Sequence, residues 1–211
     1  MKEKRTARRQ EYKDRQRQEI MAAALELFSA RGYHQVSMQD IAHGAEFAVG
    51  TLYKFFNNKE ELYRAIILDL SEKFSAALAH ALTQGEDEYE RLVNYLKIGG
   101  EIFMANTQAV SLYFVETRGA RFNLRVGLDE EVMSQYDQIL EWLSKVFASG
   151  IENGIFRSLD PDYLARSLDS LACTFLFAWL DDSQKYPYEK SLKMIDEMFF
   201  HNILVADYVK S

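Results

Sequence analysis

Cysteine is almost missing from this chain, with one in 211 residues, so no internal disulfide can form. That residue, Cys173, lies in LACTFLFAWL, an apolar run that predicts a buried, inert thiol rather than a redox sensor. A lone thiol fits a reducing cytoplasm. Prolines number two and glycines ten, which leaves few helix breakers among runs of Ala, Leu, Glu, Lys and Phe and predicts an almost entirely helical, all-α protein. Long hydrophobic stretches are also lacking. LACTFLFAWL is too short to span a bilayer, and the polar, basic N-terminus shows no signal peptide, so no membrane partner is expected. His34, His43, His80 and His201 are scattered, with no HExxH, no Cys/His cluster and no glycine-rich phosphate loop. The acid pairs Glu60-Glu61, Glu130-Glu131 and Asp181-Asp182 are accounted for by solvated or capping roles. No catalytic residue, metal ligand or cofactor is therefore assigned. No internal repeat or low-complexity segment is present.

What is there begins with residues 37–59, SMQDIAHGAEFAVGTLYKFFNNK. Ser37 precedes Met38, Ile41 and Ala42, and Asp40 follows three positions on, the pattern of a capped two-turn helix over about 38–45. A second short helix is predicted over about 49–55, with Leu52 and Phe56 turned inward, and 44–48 leave room only for a tight turn. Two short helices joined this way form a shape whose second member fits a DNA major groove. Before them, Ile20, Ala24, Leu27 and Phe28 predict a first helix over about 12–31, stopped by Gly32. Asn58 followed by Lys59, Glu60 and Glu61 opens a long helix over about 59–82.

In order and spacing, IMAAALELFSARGYHQVSMQDIA, GTLYKFF and NKEELY resemble the DNA-binding domain of the TetR family of transcriptional repressors, over roughly 18–67. The resemblance implies a DNA-binding domain over 1–58 and a C-terminal effector-binding and dimerisation domain over 59–211, with the 59–82 helix carrying ligand-driven shifts between them. Two positions depart from the family pattern. Glu46 stands where a turn glycine is common, and Ala48 where a capping Ser or Thr is common; a lost cap costs about 1 kcal/mol.

The formal charge of −7 would argue against nucleic acid if it were evenly spread. It is not: residues 1–64 hold twelve Lys/Arg against nine Asp/Glu, and 65–211 hold thirteen against twenty-three. Most of the basic excess lies in MKEKRTARRQEYKDRQRQ. Such a run alone reads as a solvated tail; ahead of a DNA-reading domain it reads as an arm that tracks phosphates or enters a minor groove. The acidic remainder would turn the basic end toward DNA.

Further helices are expected over about 88–106, 107–118, 129–153, 161–183 and 188–208, giving about nine, with GARFNLRVG as a loop. Gly99-Gly100 inside one of them marks either a kink or a close approach. Asp160 with Pro161 caps another, whose second half is apolar on every side and therefore needs covering on every side. The 188–208 helix likewise has two apolar flanks. These last two helices are expected to pair with their counterparts in a homodimer, as a four-helix bundle.

For DNA reading, Val49, Gly50 and Thr51 suit base edges, Tyr53 and Lys54 reach phosphates or bases, and Lys59 suits a phosphate at a helix start. Ser37 and Gln39 are placed for backbone on the other side. Taken singly, Tyr53 reads equally as packing and Lys54 as ordinary surface; the resemblance favours DNA for both. An effector cavity is expected from Phe103, Tyr113, Phe114, Trp142, Phe175 and Trp179, with Glu116 or Arg118 as polar anchors, although an aromatic stripe at helical spacing is more often plain core. The expected function is a homodimeric repressor on a palindromic double-stranded operator, released by a small apolar or aromatic effector. The alternative is a helical small-molecule-binding protein whose DNA-binding domain is weakened at Glu46 and Ala48; an all-helical enzyme lacks candidate residues.

Overall fold

The computed structural model describes residues 2–116, 130–206 and 208, and the elements named among them are all helical. In chain order they are α1 Lys2–Arg31, a 3-10 turn Tyr33–Gln35, α2 Met38–Gly44, α3 Val49–Leu52, α4 Lys59–Ala81, α5 Glu88–Ala105, α6 Thr107–Glu116, α7 Glu130–Glu152 and α8 Pro161–Asp181. The chain closes with α9 Tyr188–Ile195, a π turn Asp196–Phe200 and α10 His201–Ile203. The expected loop GARFNLRVG lies outside the described residues.

The chain divides into two compact units, one drawn from Met1–Leu70 and Gln108–Val126, the other from Ser71–Thr107 and Gly127–Ser211. In the first, Ile20, Phe28, Ile41, Leu52, Phe56 and Leu62 are almost fully buried in one cluster, which Leu112 of α6 joins. α1 begins ten residues earlier than its apolar spacing predicts. Side-chain bonds one turn apart support the polar half: Gln10 donates to Asp14 at 2.8 Å, Arg15 to Glu19 at 2.9 Å and Gln16 to the Tyr12 hydroxyl at 3.3 Å. Gly32, at φ 83°, ends α1 as expected.

In the second unit Leu92, Leu143, Phe147, Leu168, Ile195 and Phe200 anchor the core. Gly100 proves to be a close approach rather than a kink, since a Cβ there would stand 2.0 Å from the Tyr188 ring. The Tyr188 hydroxyl donates to the Leu96 carbonyl at 2.6 Å across the same seam. Asp160 accepts from the amides of Asp162 and Tyr163, with Pro161 in the first turn of α8.

The final helix departs from expectation. A π turn holds one extra residue per turn, which shifts the buried stripe so that the adjacent Phe199 and Phe200 both enter the core. The chain then leaves helix at Ile203 rather than continuing to 208, because Leu204 forms an antiparallel bridge with Phe156. Among the described residues, no helix is long and apolar enough to cross a membrane.

Candidate nucleic-acid interface

The site starts from a capping box. The Ser37 hydroxyl accepts from the Asp40 amide at 3.1 Å, and the Asp40 carboxylate accepts from the Ser37 amide at 2.8 Å. The Ser37 hydroxyl also donates to the Asp40 carboxylate, and that bond first, with the one from the Ser37 amide second, holds the Asp40 carboxyl below its usual range. α2 buries Met38, Ile41 and Ala42 and leaves Gln39 exposed.

The turn after α2 is a left-handed helix stop. The Phe47 amide donates to the Ala42 carbonyl at 2.9 Å and the Glu46 amide to the His43 carbonyl at 3.1 Å, a double closure that puts Glu46 at φ 59°. Glycine is the residue suited to that backbone, so the glutamate departing from the family pattern occupies a position that costs on the order of 1 kcal/mol. α3 then starts at Ala48 without a side-chain cap, and its helix proper spans four residues rather than seven. Turns continue the chain to Phe56, whose amide donates to the Leu52 carbonyl at 3.0 Å.

Leu52 and Phe56 are the inward anchors of this segment, at 0% and 1% exposure. Their burial turns the opposite side outward. Gly50, Tyr53 and Lys54 are exposed, and Val49 and Thr51 are half-buried. Nothing lies within 4 Å of where a Gly50 side chain would begin, so the backbone there is open to close approach. Lys59 is differently placed: its ammonium donates to the carbonyls of Tyr33 at 2.8 Å, Val36 at 3.0 Å and His34 at 3.5 Å, and lies 4.4 Å from the centre of the Tyr33 ring. It ties the start of α4 to the turn after α1, so its donors already point at protein oxygens. Asn58 caps α4 by accepting from the Glu61 amide at 2.8 Å.

The residues expected to line an effector cavity are only partly gathered. Phe103 is buried and meets the Trp179 ring at 6.5 Å and Phe177 at 6.0 Å. Trp142 and Phe175 pack partly buried against the second core, while Tyr113 is buried and belongs to the first unit. The side chains of Phe114 and Glu116, and Arg118 altogether, lie outside the described residues. Sequence reading missed a buried polar cluster in the second unit. Asp169 accepts from the hydroxyls of Tyr136 at 2.6 Å and Tyr95 at 3.1 Å. Burial raises its carboxyl above the usual range, partly offset by those two bonds, and burial likewise pushes the Tyr95 hydroxyl and the Cys173 thiol up. An acid at a core position of α8 was the available signal. Among the described residues no three or more His, Cys, Asp or Glu side chains gather as a metal site.

With this geometry in place, the family profile described as bacterial regulatory proteins, tetR family, matches residues 20–66. The chain is 27% identical to the transcriptional repressor KstR of Mycobacterium tuberculosis over 164 residues, covering 78% of this chain and 70% of that one. It is 26% identical to the HTH-type transcriptional regulator YhgD of Bacillus subtilis over 178 residues, covering 81% and 86%. In fold it is similar to a transcriptional regulator of Saccharomonospora viridis solved in complex with choline, with a TM-score of 0.73 at 20% identity over 90% of this chain and 97% of that one.

Proposed function

This chain belongs to the TetR family of bacterial transcriptional regulators, and from that premise we propose that it is a repressor that binds a palindromic operator as a homodimer and leaves it when a small effector enters the second unit. The observation that carries the reading is α3 itself, with Leu52 and Phe56 locked inward and Gly50, Tyr53 and Lys54 presented to solvent beside a capped α2. In this reading Val49, Gly50 and Thr51 meet base edges, and Tyr53 and Lys54 meet phosphates or bases. Ser37, through its exposed cap, and Gln39 face backbone on the other side; Lys59 adds its charge while staying tied to the turn.

The dimer reading rests on α8 and the segment after it. Leu171, Phe175, Phe177, Trp179 and Leu180 are only partly covered within one chain, and Tyr163 and Met198 are 75% and 54% exposed. A second copy supplies the missing cover. The effector is apolar or aromatic, in keeping with the contact of Phe103 with Trp179. α4 has residues in both units, and in this reading it carries the effector-driven shift between them. Control of transcription then needs only an effector-favoured state whose two reading helices no longer match successive grooves, roughly 34 Å apart.

Selection of duplexes from a random pool, followed by titration with salt, tests this. Retention should fall steeply with salt, as for about 6–10 phosphate contacts. Thr51→Ala should relax sequence preference, and Lys54→Ala should weaken all sequences alike. Wild-type selectivity and affinity in both variants would remove α3 from the interface. One observation favours a second reading, a small-molecule-binding protein with a weakened head: α3 lacks a side-chain cap and follows a strained Glu46. In that case ligand is bound while duplex is held feebly and without preference.

A further inference from the structure

The first half of α1 carries a feature that α2 and α3 do not explain. Arg5, Arg9, Lys13 and Arg17 recur every four residues, so they share one face of the helix. Arg5, Arg9 and Lys13 are exposed, and Arg17 is half-buried with its guanidinium 5.3 Å from the centre of the Phe56 ring. Like charges one turn apart oppose helix formation by a few tenths of a kcal/mol per pair. Among the described residues none of Arg5, Arg9 and Lys13 has an acidic partner at ion-pair distance, whereas Arg15, off that face, is paired with Glu19 at 2.9 Å. A face that concentrates repulsion while its neighbour is neutralised is a face suited to an external polyanion.

Its surroundings say which one. Arg9, Lys13 and Arg17 line a cleft of about 720 Å³ whose other side is Thr51 and Lys54, and Asp14 is the one acid in the lining, its carboxylate accepting from Gln10 at 2.8 Å. Three cations of α1 thus face the cation and hydroxyl beside α3, within the same unit. From Arg5 to Arg17 the stripe is roughly 18 Å long at 1.5 Å per residue, long enough to follow several successive phosphates of one strand.

We propose that the N-terminal half of α1 is a rail for the DNA backbone, with Arg5, Arg9 and Lys13 gripping phosphates of one strand and the cleft between α1 and α3 receiving that strand. This rests on the reading of α3 as the DNA-reading helix and extends it. The basic run engages DNA along the side of a helix rather than as an arm threaded into a minor groove. Its contacts are with phosphates, so it lengthens the footprint and adds affinity without adding sequence preference.

The test uses the full chain and a duplex that the wild-type protein retains from a random pool. The triple variant Arg5→Gln, Arg9→Gln, Lys13→Gln changes only exposed side chains, and its helix content by circular dichroism should match the wild type. The log–log dependence of affinity on salt should become shallower by about 2.7 per bound protomer, from about 0.9 per lost phosphate contact. Hydroxyl-radical protection should shorten at the flanks, and the ranking of operator variants should stay the same. Arg5→Lys with Arg9→Lys should keep the wild-type slope, because a phosphate grip needs the charge. Arg15→Gln serves as control and should leave the slope unchanged. Unchanged slope and protection in the triple variant, an equal effect per charge from Arg15→Gln, or a lost operator ranking would each overturn the rail. If the wild type retains duplex and the triple variant matches it, the rail alone falls; if the wild type retains none, the reading of α3 falls and takes the rail with it.

Discussion

The core of the first unit closes over Ile20, Phe28, Ile41, Leu52, Phe56 and Leu62, and among the described residues the buried polar ones, Glu88, Asp169 and Ser191, all lie in the second. Among the described residues the first unit buries no charged side chain: Lys54 is exposed, and Lys59 turns its ammonium to carbonyls at the rim. The second takes two carboxyl groups inside and gives each hydrogen-bond donors there. Glu88 accepts from Ser149 at 2.6 Å and Asn153 at 2.9 Å, and Asp169 from two tyrosines. A purely apolar core fixes shape with little dependence on conditions. Buried hydrogen bonds make packing conditional on each partner staying in place.

The largest expected effect breaks the apolar side of this contrast. Leu52→Ala removes the side chain that holds α3 inward and should cost about 2–5 kcal/mol, with hydrogen exchange accelerated through α2 and α3. Protection left intact there would mean that the head does not depend on its core. Next comes the polar side. Asp169→Ala leaves the buried Tyr95 hydroxyl without its acceptor and should cost about 1–3 kcal/mol in urea unfolding.

Asp169 also gives the second unit a pH dependence of defined sign. Burial raises its folded-state value above the ordinary 3.8, so the folded chain holds that proton more tightly than the unfolded chain does. The stability it contributes is complete below the ordinary value and is lost as pH rises through the raised one. Unfolding midpoints measured upward from about pH 4 should show this fall in the wild type, and Asp169→Asn should flatten it. An unflattened slope would assign the dependence to another group.

The smallest effects repair the reading turn. Ala48→Ser should add a cap worth about 1 kcal/mol, and Glu46→Gly should relieve the left-handed backbone by a similar or smaller amount. Neither change touches Leu52, so both should raise stability without altering the selected operator. A changed operator would show that the turn itself takes part in reading.

Much of this was legible in the sequence where the signal is local. Ser37 with Asp40, Asn58 with Glu61, Asp160 with Pro161 and the glycine stop at Gly32 all name their helix ends within four residues. α1 was foreshortened because its polar half has no apolar stripe, and the i,i+4 bonds that support it leave no periodic trace. The π turn escaped because Met198, Phe199 and Phe200 are consecutive apolar residues, which leave no periodic trace of the extra residue that brings both phenylalanines inside. Lys59 was read as a free cation because its carbonyl partners lie 23 to 26 residues earlier in the chain. Asp169 stayed hidden for the same reason, with Tyr95 74 positions away.

The unbroken course of α1 from Lys2 also fixes when its ordering is paid for. A basic segment that joins a core helix surrenders its conformational freedom during folding, before any DNA arrives. On the rail reading, association should then carry little penalty for immobilising that stretch, and calorimetry should find no large negative heat-capacity change of the kind that marks a tail folding on its target.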